Sequence, residues 1–404
     1  MFRYAHGIID TAPARHRGTG RAPASPYNWR VPLSTRRDIG QLLIGSLPGT
    51  TIPSELRSLA RDFRLGGVIL FARNIEAPEH VAELAQDVQS LASGAPLWVS
   101  IDQEGGRVAR LRAPFTEWPP MAVLGRCGDA GLASRFAAAL AAELKAVGIT
   151  LDYAPVLDIH TNPHNPVIGD RALAADAAMV GALGSVIVRG LQDHGVAACG
   201  KHFPGHGDTS VDSHDELPVV EHEPDRIRRV ECVPFREAIR AGVAFMMTAH
   251  LLVPALDEDS PATLSRRIVS DLLREELGFD GVILSDDLEM EALAKTHTAP
   301  EAAVQAIAAG CDGVLVCRAR VQDRSGDVEV LAAVLEALVH AVEDGRIAYK
   351  RLEDALRRHR QAKERFLADT VRAQPARPGR SVQLSAVLGC DEHRRVAEEM
   401  ARYL

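Results

Sequence analysis

Between residues 41 and 319 the chain alternates short apolar runs, many of them β-branched, with longer amphipathic stretches. The runs are QLLIGSL (41–47), GVILFA (67–72), LWVSID (97–102), ITLDYAPVLDI (149–159), VAACGKHF (196–203), VAFMMTAH (243–250), GVILSDDL (281–288) and DGVLVCRA (312–319). Their apolar character is nearly continuous, which predicts strands buried on both faces, as in a parallel sheet. Between them, apolar residues recur at helical spacing in 80–93, 129–148, 176–195, 225–242, 266–279 and 300–310. Several of these stretches end in glycine just before the next strand, the expected C-terminal stop of a helix.

Eight strands alternating with helices over roughly 280 residues predict an α/β chain folded as a single-domain (β/α)8 barrel, a TIM barrel. A doubly wound open sheet is the rival. It calls for a glycine fingerprint after its first strand, and GSLPGT (45–50) matches GxGxxG poorly. The expected division is an irregular N-terminal extension over 1–37, the barrel over 38–366, and a C-terminal tail with one short helix over 367–404. Residues 326–366 read as one or two helices that complete the barrel.

Composition narrows the function classes. Of 404 residues, 46% are apolar and 25% charged, which suits a soluble protein with a large core. A net charge of −8 argues against nucleic acid as the main partner. No apolar run approaches the ~18–20 residues of a membrane span, and the first thirty residues lack the apolar segment of a secretory signal. The six cysteines are scattered without CxxC spacing, which predicts reduced thiols in a cytoplasmic protein.

In a barrel, chemistry gathers at the C-terminal ends of the strands. The chain places Asp102, Asp158, Lys201 with His202, His250, and Asp286 with Asp287 there, on five of the eight strands. Each has a plain reading: Asp102 as a helix cap, Lys201 as a solvated strand end, and Asp286–Asp287 as the acidic first turn of a helix. Their convergence on one rim favours a site. The densest stretch is KHFPGHGDTSVDSHDELP (201–218), with three histidines. Glycines and Pro204 separate these histidines, so they share no helical metal-binding face. A loop zinc site, an acid–base site and a polar loop all fit the residue types. In the acid–base reading, Asp212 in Asp212-Ser213-His214 orients the His214 imidazole and supports its protonated form.

KHFPGHGDTSVDSH (201–214) and FDGVILSDDLEMEAL (279–293) closely resemble glycoside hydrolase family 3. Within it they resemble the single-domain bacterial β-N-acetylhexosaminidases that release N-acetylglucosamine in peptidoglycan recycling. LWVSIDQEGGRVARL (97–111), LDYAPVLDI (151–159), NPVIGDRA (165–172), MTAHLLVPALD (247–257), PATLS (261–265) and AGCDGVLVC (309–317) extend the likeness over about 38–366.

The resemblance implies a retaining mechanism through a covalent glycosyl-enzyme. Asp286 is then the nucleophile, His214 the acid/base and Asp212 its partner. Asp102, Arg110, Arg171, Lys201 and His202 then bind sugar, and His206 shapes the loop. The glycines of EGGR and PGHG are expected to let backbone approach the sugar. No cofactor or metal is implied.

The implied partner is an oligosaccharide, N-acetylglucosamine joined β-1,4 to an anhydromuramyl unit, with no nucleic acid and no membrane. Neutral imidazole repels an anionic acceptor less than carboxylate does, so phosphate as well as water is a conceivable acceptor. Competing readings are a β-glucosidase or β-xylosidase of the same family, and an inactive sugar-binding barrel. Leu173, Glu289 and CRAR (317–320) depart from the family pattern and bear on aglycone preference.

Overall fold

The computed structural model describes residues 32–213, 216–317, 326–368 and 380–404, with the backbone alone for 380–383. Eight parallel strands close into one barrel: β1 Leu43–Ser46, β2 Gly67–Leu70, β3 Trp98–Ile101, β4 Leu151–Asp152, β5 Ala197–Phe203, β6 Phe245–Thr248, β7 Val282–Asp287 and β8 Gly313–Val316. β8 closes on β1 with Leu43 opposite Val314. The TIM barrel expected from the strand rhythm is therefore the fold, with each strand inside its expected run.

The near-continuous apolar runs follow from burial on two faces. Successive side chains alternate between barrel interior and helix layer. Ile44, Ile69, Trp98, Leu151, Cys199, Phe245, Met247, Leu284 and Leu315 fill the inside. Leu43, Val68, Val99, Ala198, Met246, Ile283 and Val314 face the helices. Trp98 meets Phe245 edge to face at 5.1 Å and Phe366 at 6.4 Å. Each such fully buried side chain stabilises the fold by about 1.5–3 kcal/mol.

β4 is shorter than its run. Its regular pairing breaks after Asp152, although Ala154 O and Pro155 O still accept from Cys199 N and Lys201 N at 2.9 and 3.2 Å; Pro155 has no N–H to return, and Leu157 N next donates to Lys201 O at 2.6 Å. This break carries Asp158 past the end of the regular strand, over the neighbouring β5.

The helices start and stop on the expected chemistry. Asp129 and Asp176 cap Ala130–Ala146 and Ala177–Asp193 with side-chain bonds to Gly131 N and Met179 N. Gly148 and Gly195, with φ of +82° and +86°, turn the chain out of them. The single helix expected over 225–242 is two, Pro224–Arg229 and Cys232–Arg240, because Pro234 fits only a first turn. Arg267–Glu276 is wound as a π-helix. Ser54–Asp62, absent from the expected helices, buries Leu56, Leu59 and Ala60 between β1 and β2. Asp327–Glu343 and Tyr349–Phe366 complete the outer layer.

A short helix, Leu33–Asp38, lies before the expected boundary, while 1–31 lie outside the described residues. At the other end, Arg380–Val387 precedes the expected terminal helix, Asp391–Ala401. Leu384, Leu388, Val396 and Met400 pack into the main core. None of the described helices is long and apolar enough to cross a membrane.

Candidate active site

The chain after β3 forms a short hairpin, Gln103–Gly105 with Val108–Ala109, which brings Asp102, Glu104 and Arg110 over the barrel mouth. Lys201, inside β5, reaches across with its ammonium 2.8 Å from Asp102 Oδ1 and 2.6 Å from Glu104 Oε1. Arg110 donates to the other Asp102 oxygen at 3.2 Å. Arg171, from the loop after β4, holds Glu104 with two bonds of 2.9 and 2.8 Å. Four of the five expected sugar-binding residues thus form one network, two carboxylates facing three cations.

Burial opposes ionisation of Asp102, but Lys201 and Arg110 outweigh it and hold the carboxyl well below its usual range. Glu104 follows the same balance: burial raises it, Arg171 and Lys201 bring it down to about 2. Lys201 stays charged, because Asp102 and Glu104 overcome its burial. The Asp102 side chain is 17% exposed and that of Glu104 1%. Asp102 is therefore the carboxylate that a ligand in the mouth can reach, and Glu104 the buried counter-charge.

His202, the fifth expected sugar-binding residue, belongs to a neighbouring cluster. Its Nδ1 lies 2.7 Å from Asp158 Oδ2, and its backbone N–H also donates to Asp158. The other Asp158 oxygen accepts from His206 N at 2.6 Å. Burial raises the Asp158 carboxyl, and His202 and His206 more than reverse this. With Nδ1 engaged by a carboxylate, His202 has Nε2 left for another partner.

Asp286 stands at the end of β7, half-buried, and its Oδ1 accepts from Asp287 N at 2.8 Å. Burial keeps the Cys199 and Cys317 thiols neutral, with Asp287 adding to it at Cys317 and Asp102 and Asp286 at both. His250 spends both ring nitrogens on the scaffold, on Thr263 Oγ1 at 2.8 Å and Asp287 O at 2.9 Å. Asp212 lies in the loop after β5, its carbonyl accepting from Glu216 N at 3.0 Å. His214 lies outside the described residues. The described residues contain no His/Cys/Asp/Glu group arranged to hold a metal ion.

Two expectations change. The glycines of EGGR and PGHG answer to protein packing rather than to a sugar. A Cβ on Gly207 would sit 1.7 Å from Ile159 O, and one on Gly106 2.9 Å from Pro120 Cα. Leu173 is 1% exposed, so its departure from the family pattern alters the core and not the mouth. Glu104 was passed over, although it lies inside the quoted QEGGR; its place beside Asp102, two residues on along one edge of a hairpin, was the available signal.

Asp152 was missed for another reason. It sits in β4 with Oδ1 on Gln103 N at 2.9 Å, while Oδ2 meets no partner among the described residues. Burial pushes its carboxyl well above the usual range, in contrast to Asp102 and Glu104.

A family profile described as "Glycosyl hydrolase family 3 N terminal domain" matches residues 34–361. The chain belongs to glycoside hydrolase family 3. Its relatives within the family include a β-hexosaminidase of Thiobacillus denitrificans, 42% identical over 285 residues, which span 69% of this chain and 78% of the relative. A family 3 β-N-acetylglucosaminidase from Paenibacillus sp. str. FPU-7 superposes with a TM-score of 0.84 at 43% identity, over 91% of this chain and 68% of that one. NagZ from Neisseria gonorrhoeae, solved with N-trifluoroacetyl-D-glucosamine, matches with a TM-score of 0.71 at 31% identity, over 90% of this chain and 97% of its own.

Proposed function

We propose that this family 3 chain is a retaining exo-β-N-acetylglucosaminidase that removes N-acetylglucosamine from β-1,4-linked muropeptides. Relatives named β-hexosaminidase and β-N-acetylglucosaminidase support the sugar preference. The observation that carries the reading is Asp102, an ionised and reachable carboxylate fixed between Lys201 and Arg110. A carboxylate so held accepts hydrogen bonds from two sugar hydroxyls, and its cations keep it from acting as a nucleophile.

Asp286 then attacks the anomeric carbon as the bond to the aglycone oxygen breaks, and His214 gives that oxygen a proton. In the second step His214 takes a proton from water, which displaces Asp286 from the sugar with net retention. Asp212 supports the imidazolium form of His214. His202, its Nδ1 held by Asp158, turns Nε2 to a sugar hydroxyl.

Paired assays on p-nitrophenyl β-N-acetylglucosaminide and β-glucoside test the preference, and a higher kcat/KM on the glucoside defeats it. Trapping with a fluorinated N-acetylglucosaminyl fluoride, followed by peptide mapping, tests the covalent step. The label is expected on the peptide that contains Asp286.

A further inference from the structure

The loop after β5 carries a hydrogen-bond chain that the reaction above does not use. His206 is buried, with its Nδ1 2.7 Å from Thr209 Oγ1 and its Nε2 3.1 Å from Ser213 Oγ. The proton positions follow from the partners. Thr209 Oγ1 donates its single hydrogen to His206 O at 3.0 Å and accepts from Asn165 Nδ2 at 3.2 Å. It therefore accepts from His206 Nδ1–H as well, which leaves Nε2 with a lone pair. Ser213 Oγ–H then donates to Nε2. Burial first, and then the neighbouring His202, bring the His206 pKa down to about 4, so the ring stays neutral under ordinary conditions.

Ser213 is held from a second side. Its carbonyl accepts from Ala292 N at 3.3 Å, in the short helix Glu291–Ala294 that follows β7. Ser213 is buried, whereas its neighbour Asp212 is half-buried. One peptide of the loop is thus pinned to β5 through His206 and to the β7 side through Ala292. In the sequence that peptide lies between Asp212 and His214. The far end of the chain is Asp158, which also holds the His202 ring.

We infer that His206 is a positioning residue for the acid/base pair, acting through the Ser213 hydroxyl. The inference rests on the acid/base reading of Asp212 and His214. A loop loosened by about 1 Å forfeits proton transfer on the order of 10²-fold. It leaves sugar binding nearly intact, because Lys201 stands on β5 and Asp102 and Arg110 flank the hairpin after β3.

The test is the dependence on leaving group. Methyl β-N-acetylglucosaminide needs a proton on departure, and the 2,4-dinitrophenyl glycoside scarcely does. Ser213→Ala is expected to lower kcat/KM on the methyl glycoside roughly 30- to 100-fold, and on the dinitrophenyl glycoside by less than about threefold. Ser213→Thr is expected to restore most of the loss. His206→Phe is expected to show the same split, and the double variant no more than either single one.

Equal losses on both substrates in Ser213→Ala, or no loss on either, overturn the inference. His214→Ala separates this from the reading beneath it. If that variant shows the leaving-group split and Ser213→Ala does not, only the positioning role fails. If His214→Ala shows no split, the acid/base assignment fails.

Discussion

The ammonium of Lys201 lies 2.6 Å from Oε1 of Glu104, a carboxylate that is 1% exposed. The same ammonium holds Asp102, so Glu104 sets the position of a group that in turn sets the reachable acid of the site. Glu104→Gln keeps the shape and removes the charge, leaving Arg171 and Lys201 underpaired in a buried setting. Breaking a buried pair from one side destabilises by about 3–5 kcal/mol. A loss near the lower end is expected in denaturant melts, since Arg171 keeps Val167 O and Lys201 keeps Asp102. KM is expected to rise about tenfold, equivalent to ~1.4 kcal/mol of binding. An unchanged KM would make Glu104 a structural residue only.

Asp286 is expected to be indispensable to turnover but not to folding. Asp286→Asn should lower kcat on the order of 10⁴-fold or more, with the melting curve within a few degrees of the parent. Asp212→Asn should lose less, about 10²-fold, because it removes the support of the acid/base and not the acid/base itself. Steady-state kinetics on the p-nitrophenyl glycoside measure both. Comparable activity in Asp286→Asn would send the nucleophile elsewhere.

The barrel was legible in the sequence because two-sided burial leaves a strong mark. Each of the eight runs is apolar on both alternations, and Trp98 inside and Val99 outside both count as core. Asp102 and Lys201 were legible as polar residues at strand ends, and Arg110 and Arg171 only through the family resemblance. The wiring of this charged rim was not. That Lys201 bridges Asp102 and Glu104, or that Asp158 serves two histidines, depends on which strands become neighbours. The raised carboxyl of Asp152 was illegible, because it follows from burial within β4 and not from residue type. The glycines were read toward the ligand because a sequence does not show Ile159 passing behind Gly207.

That close approach makes Gly207 a sharp test of the loop's architecture. A methyl group there would overlap Ile159 O at 1.7 Å, against Ile159 backbone with no flexible side chain to yield. Gly207→Ala is expected to displace the 205–213 segment and so to weaken the His206 bonds. Overpacking of this kind destabilises by about 1–3 kcal/mol. Activity should fall further than stability alone predicts, measured well below the melting temperature. An active, unperturbed variant would mean that Ile159 moves freely.

Glu143 ties the C-terminal helices to the barrel. It is buried on Ala130–Ala146 and accepts from Thr116 N and Oγ1, Gly389 N and His393 Nδ1, the last two at 2.8 and 2.9 Å. Burial raises its carboxyl, and the hydrogen bonds from His393, Thr116 and Gly389 bring it below its ordinary value. A depressed carboxylate gives stability that is present above its unfolded pKa and lost as pH falls through the folded one. Glu143→Gln turns an amide toward these donors and should cost about 1–3 kcal/mol. Hydrogen exchange should speed up in Asp391–Ala401 before it does in the strands.

Lys363 predicts a trend of the same sign in a higher pH window. It is buried near the start of β2, donating to Gln41 Oε1 at 2.7 Å and Gly66 O at 2.9 Å, with no carboxylate partner among the described residues. Burial alone brings its pKa down to about 7. Between that value and the unfolded value near 10.5, the unfolded chain holds a proton that the folded chain does not. Stability therefore rises with pH across this window, by at most about 1.4 kcal/mol per unit. The buried thiols act the other way above pH ~9, because burial raises Cys199, Cys232, Cys311 and Cys317. The comparison that isolates the lysine is wild type against Lys363→Met, in which the thiol contribution cancels. At pH 6 the methionine variant is expected to be the more stable, since it carries no buried charge. Urea melts at pH 6, 7.5 and 9 should show that advantage shrinking steadily. A difference that stays constant with pH would mean that Lys363 remains charged in the fold, held by its two carbonyl acceptors.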